Sequence, residues 1–97
     1  MSQLHLINRS MSQAELQSNF DRLVASSDSL LFIGDGVLNL VNNQLNTYLG
    51  ALSSPILGLE ADIRARGLTR ESFQFARVIN DLEMVDLTLS HQKTISW

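Results

Sequence analysis

Leu30-Leu31-Phe32-Ile33-Gly34-Asp35-Gly36 is the stretch that decides the fold class of this chain. Four consecutive large apolar residues that stop at Gly-Asp-Gly form an apolar run closed by a turn signal, the pattern of a strand buried on both faces. Leu30 to Ile33 is therefore predicted as the central strand. From Val37 onward the sequence reads as an amphipathic helix, so Gly34 to Gly36 becomes the turn at the strand's carboxyl end, where open α/β sheets place their sites. A site built by this chain is expected near Asp35.

Working outward toward the amino end, Ser26-Ser27-Asp28-Ser29 is a polar break before the central strand. Ser12 and Glu15 have the spacing of a capping box, followed at helical intervals by Leu16, Phe20, Leu23 and Val24, which predicts a helix over about residues 12–25. Leu4-His5-Leu6-Ile7 is a short strand, turned by Asn8-Arg9-Ser10. Toward the carboxyl end, Val37, Leu38, Val41, Leu45, Tyr48, Leu49 and Leu52 form an apolar stripe that predicts one long helix up to Ser53-Ser54-Pro55. Ile56 to Leu59 is a third strand, with Pro55 tolerated only at its start. Glu60 to Arg66 reads as a short helix closed by Gly67. Residues 68–75 read as loop and Phe75 to Ile79 as a fourth strand. Asn80 or Asp81 can cap a last helix with Leu82, Val85 and Leu89 on one face. Thr94 to Trp97 is a candidate edge strand.

Strand and helix patterns alternate throughout, so the expected architecture is α/β: a small single domain over residues 1–97, with a mostly parallel central sheet flanked by helices. Ninety-seven residues, 44% hydrophobic and 18% charged, suit one compact domain. A chain this short buries a limited fraction of its surface alone and gains from partners. The net charge of -3 provides no basic field for the phosphate backbone of a nucleic acid. The absence of cysteine excludes disulfides, thiolate metal sites and thiol or persulfide chemistry on this chain itself. No apolar run reaches membrane-spanning length and the beginning lacks a signal-peptide layout, so the expected location is the cytoplasm.

Asp35 has two readings, as a helix cap made possible by its glycines or as a carboxylate that binds a ligand or accepts a proton at the sheet edge. No G-x-G-x-x-G and no phosphate-loop lysine accompanies it. A phosphoacceptor domain would need acidic partners after the first strand, and Ile7-Asn8-Arg9 supplies none. His5 is expected to fill a strand position and His91 to end a helix; two isolated histidines make no zinc site. Arg64, Arg66, Arg70 and Arg77, interleaved with Glu60, Asp62 and Glu71, read as a mixed-charge surface that can orient a partner. Trp97, the only tryptophan, is expected to be buried within its own domain or against a partner.

Leu4-His5-Leu6-Ile7-Asn8-Arg9-Ser10, the central Leu30 to Val37 segment, Ala65-Arg66-Gly67-Leu68 and the terminal tryptophan, in that order and spacing, resemble the DsrH-like branch of the DsrE/DsrF/DsrH sulfur-relay family. The resemblance implies a DsrEFH-like domain within a TusBCD-type complex, a heterohexamer built as a dimer of heterotrimers with TusC-like and TusD-like subunits. Such a complex passes persulfide sulfur from TusA toward TusE for 2-thiolation of the tRNA wobble uridine. In DsrH-type relatives a cysteine can sit in the first helix, where this chain has Phe20, so the relayed sulfur is expected on a TusD-like partner. No catalytic, cofactor-binding or metal-binding residue is carried over, and no cofactor, direct nucleic-acid contact or membrane contact is expected. Two alternatives compete with this non-enzymatic subunit: a stand-alone ligand-binding or enzymatic domain using Asp35, and a self-associating homologue.

Overall fold

The computed structural model describes residues 2–69 and 75–97. The chain runs β1 (Gln3–Ile7), α1 (Gln13–Leu23), β2 (Ser29–Phe32), a 3-10 segment (Gly34–Val41), α2 (Asn43–Ala51), β3 (Ile56–Leu59), α3 (Glu60–Ala65), β4 (Arg77–Ile79), α4 (Asp81–Ser90) and β5 (Lys93–Ser96). The five strands form one sheet in the order β4-β3-β2-β1-β5, and every neighbouring pair is parallel. The predicted central strand is thus the middle strand, displaced by one residue: all four residues of β2 are buried, and Ile33 falls just outside it, half-buried.

The connections explain the two layers. From β1 to β4 the chain always steps toward the same edge, and α1, the 3-10 segment, α2 and α3 all supply the larger core. Leu16 and Phe20, Val37 and Leu40, Leu45 and Leu49, and Ile63 meet Ile7, Leu30, Phe32 and Ile56 of the strands there. The last connection reverses direction, returning from β4 at one edge to β5 beside β1. Crossovers of one hand put a reversed connection on the opposite face. Accordingly Met84 and Leu87 of α4 pack on the second core of Leu4, Leu31, Leu57 and Ile79.

Four sequence expectations change in the structure. The long helix predicted from Val37 to Leu52 is divided into the 3-10 segment and α2. Asn39, which sits amid the apolar stripe, is fully buried; its Nδ2 donates to the carbonyls of Arg9 and Gly36 and its Oδ1 accepts from the Met11 N–H, each at 3.0 Å. Asn42 then restarts the helix by accepting from the Gln44 N–H at 3.0 Å. The capping box of α1 is half formed: Ser12 Oγ accepts from the Glu15 N–H, but the Glu15 carboxylate turns to Arg9 at 3.1 Å. The complete capping box belongs to α4, between Asn80 and Glu83. Leu82, Val85 and Leu89 do share one face of α4, and that face points away from the sheet. Finally, β4 is shorter than predicted, and residues 70–74 of the predicted loop lie outside the described residues.

The turn after β2 needs its two glycines for different reasons, a backbone angle at Gly34 and a close approach at Gly36. Gly34 has φ +53°, and a Cβ on Gly36 would lie 1.8 Å from the Ile7 carbonyl oxygen. Ile7 belongs to the neighbouring strand and its carbonyl also accepts the Ile33 N–H at 2.9 Å, so it is held in place. Two substitutions should separate these constraints. Gly34→Ala is expected to cost about 1–2 kcal/mol for a left-handed residue, since its Cβ would meet only the Asn8 carbonyl oxygen, at an ordinary 3.8 Å. Gly36→Ala should cost about 3 kcal/mol or more, because backbone must move. Urea unfolding of both variants checks the order; equal losses would contradict it.

Candidate functional site

At the carboxyl end of the sheet the structure joins two regions of interest. Arg66, at the end of α3, donates through Nη2 and Nε to Asp35 Oδ1 at 2.8 and 3.2 Å. Its Nη1 donates to the Asp62 carbonyl at 3.1 Å, and Asp62 Oδ2 accepts the Gly34 N–H at 2.7 Å. The Asp35 side chain makes no cap bond, which corrects the capping reading; Asp62 takes up the amide at the turn instead. The Asp35 carboxylate is 70% exposed and paired with Arg66. Asp62 Oδ1 also lies 3.8 Å from Arg66 Nη1, so two carboxylates share one guanidinium, an exposed arrangement that adds little stability.

Of the described arginines of the predicted surface, Arg64 and Arg77 pair elsewhere. Arg64 lies 3.9 Å from Glu60, and Arg77 pairs with Glu83 at 2.9 Å, both exposed; Arg70 and Glu71 lie outside the described residues. Among the described residues, no group of three or more histidines and carboxylates is close enough to hold a metal ion.

A second polar constellation is buried, at the amino ends of β1 and β2. His5 is fully buried in β1, with Nε2 2.9 Å from Asp28 Oδ2 and Nδ1 3.2 Å from the Trp97 indole Nε1. An indole N–H can only donate, so His5 Nδ1 accepts, and the imidazole proton sits on Nε2 and is donated to Asp28. Asp28 also accepts the N–H groups of Gln3 at 2.9 Å and Ala25 at 3.0 Å. Burial works against its charge, but the His5 hydrogen bond and the Ala25 and Gln3 amides outweigh that effect and hold its pKa below the ordinary carboxylate value. Nearby, His91 caps α4 as expected, with Nδ1 2.8 Å from the Leu87 carbonyl and Nε2 3.1 Å from Ser29 Oγ.

Trp97 links this constellation to the first helix. Its N–H backbone group donates to Leu6 at 2.9 Å, so the residue continues β5, and its ring lies edge-on to Phe20 with centroids 5.4 Å apart. Phe20 is 2% exposed, with Tyr48 6.4 Å away on another side. Tyr48 donates to Asp21 at 2.9 Å; burial, and then that carboxylate, pushes its hydroxyl up to about 12, so it remains a donor. The position that the family resemblance links to a sulfur-carrying cysteine is therefore filled by a buried phenyl ring under an indole.

Sequence reasoning placed His5, His91 and Trp97 correctly but read Asp28 as part of a polar break. Its burial depends on strand order, since its partners His5 and Gln3 come from β1 and Ala25 from the end of α1. An acidic residue immediately before an apolar strand was the available signal. Asn39 was missed in the same way, and its signal was an amide within an apolar helical stripe.

Comparison with known proteins gives a consistent answer. The family model described as DsrH like protein matches residues 9–94. A Protein TusB of Yersinia enterocolitica is 41% identical over 78 residues, covering 78% of this chain and 81% of that one. A Protein TusB of Photorhabdus laumondii is 35% identical over 97 residues, covering 97% and 99%. In three dimensions, the crystal structure of the ychN protein from E. coli superposes with a TM-score of 0.71 over the whole of both chains at 14% identity, which establishes a shared fold.

The buried network makes a stability prediction with a defined sign. Because folding lowers the Asp28 pKa, its stabilisation is complete above the ordinary carboxylate range and is lost as pH falls through about 4 and below. Asp28→Asn should destabilise by about 3 kcal/mol, since an amide cannot accept from all three donors, and should flatten that acid limb. Trp97→Phe, which keeps a ring but deprives buried His5 Nδ1 of its donor, should cost about 1–3 kcal/mol. Chemical denaturation between pH 3 and pH 7 checks both; an unchanged acid limb in Asp28→Asn would refute the assignment.

Proposed function

Because the chain belongs to the DsrH-like family, we propose that it is a non-catalytic subunit of a TusBCD-type complex in the tRNA sulfur relay, acting as a single domain over residues 1–97. The complex would be a heterohexamer, a dimer of heterotrimers with TusC-like and TusD-like proteins. Sulfur would pass as persulfide from TusA toward TusE, for 2-thiolation of the wobble uridine. The family match along nearly the whole chain carries this reading.

The chemistry of the chain supports the division of labour. Persulfide transfer needs a thiolate to accept sulfane sulfur, and this sequence has no cysteine. The first-helix position that could have held one is occupied by Phe20, buried beneath Trp97. The sulfur-bearing thiol then belongs to the TusD-like subunit, and this chain contributes a folded surface that completes the assembly. It requires no cofactor or metal and no direct RNA contact of its own. No helix among the described residues is long and apolar enough to cross a membrane, and a relay serving tRNA would operate in the cytoplasm.

Native mass spectrometry of the chain co-expressed with TusC-like and TusD-like proteins from the same source should reveal a discrete dimer of heterotrimers. Deleting the chain should lower wobble-uridine 2-thiolation, measured by nucleoside mass spectrometry of bulk tRNA. A chain that stays separate while the other two proteins associate, or thiolation that persists undiminished after deletion, would overturn the proposal.

A further inference from the structure

The outer face of α4 is the least explained surface of the fold. Leu82 and Leu89 are 77% and 79% exposed and Val85 is 53% exposed, at the i, i+3, i+7 spacing that aligns side chains along one side of a helix. Met84 and Leu87 on the opposite side already satisfy the sheet, so this stripe has no role within the described chain. Beside it, α4 and the sheet enclose a cleft of about 270 Å³ lined by Leu57, Ile79 and Leu87, with Arg77, Glu83 and Asp86 at its polar side.

The charges select the occupant. The helix carries Asp81, Glu83 and Asp86 and no lysine or arginine. Glu83 is paired with Arg77, whereas among the described residues Asp81 and Asp86 have no ion-pair partner. On the helical wheel Asp86 falls between the apolar stripe and the cleft, with Asp81 on the far flank. A second copy of this chain, packed α4 against α4, would oppose carboxylates with carboxylates. A different protein offering aliphatic side chains bordered by basic ones would bury the stripe and neutralise the acids at once.

We propose that the outward face of α4, Leu82, Val85 and Leu89 flanked by Asp81 and Asp86, is the surface on which a partner subunit docks with an aliphatic patch bordered by Lys or Arg. This assignment rests on the subunit reading above. It adds the surface and the chemistry of the partner's complementary patch.

The test measures affinity between the purified chain and the TusC-like and TusD-like pair. Combining Leu82→Glu with Leu89→Glu is expected to weaken association at least about tenfold, with the melting temperature of the isolated chain unchanged because both side chains are exposed. Asp86→Lys should also weaken it, and wild-type affinity should fall as salt rises. Since the chain has no other thiol, Val85→Cys alkylated with a bulky maleimide before mixing gives an independent block if the double variant folds poorly. Wild-type binding that survives the substitutions and the label would overturn the α4 assignment while leaving the subunit reading intact. A wild-type chain that does not bind the pair would overturn the subunit reading and this assignment with it. A variant that loses only self-association would point to a second copy and overturn the choice of a basic partner.

Discussion

β2 is buried along its whole length in the middle of a parallel sheet, and both faces of that sheet must therefore be covered. Everything else in the fold accommodates this requirement. One face receives three helices and the 3-10 segment, because successive crossovers of one hand fall on one side. Among the described residues, the other receives α4, through the single reversed connection from β4 to β5. A lone helix covering a sheet face is exposed on its own far side. In this chain that far side is apolar and acidic, so the demand made by β2 leads to the surface proposed above for a partner.

Close packing at the ends of the strands requires that interior polar groups be matched. Asn39 satisfies three backbone groups at the crossing of the β1–α1 connection and the 3-10 segment. Asp28 accepts from two amides and an imidazole where β1, α1 and β2 converge. Unmatched, each of these groups would be costly; matched, each ties together segments far apart in sequence. His5 extends the Asp28 network to Trp97, which fastens the edge strand β5 to the main core. These interior polar atoms thus tie the architecture together.

Function follows from the same distribution. The carboxyl end of β2, where the topology of many α/β folds assembles chemistry, carries here Asp35 and Asp62 around the single Arg66 guanidinium. The first helix presents Phe20 inward, against Trp97 and Tyr48. In the proposed complex, a domain without thiols and with an apolar outer helix would hold other subunits in position.

The residue pattern by itself determined the class of fold and most of its elements. An apolar run at Leu30 to Ile33 stopped by Gly-Asp-Gly marks the buried central strand, the alternation of patterns implies a parallel sheet, and the absence of cysteine excludes thiol chemistry on this chain, because these properties depend on local composition and period. Periodicity also grouped Leu82, Val85 and Leu89 on one face, yet it could not say whether that face looked toward the sheet; α4 has apolar residues on two sides, and only the direction of the β4-to-β5 crossover chose Met84 and Leu87 for the core. Similarly, Asp28 and Asn39 are ordinary polar residues in sequence. Their roles arise from hydrogen-bond partners more than twenty positions away, Asp28 with Gln3 and His5 and Asn39 with Arg9 and Met11, which are brought within reach only when the strands take their order.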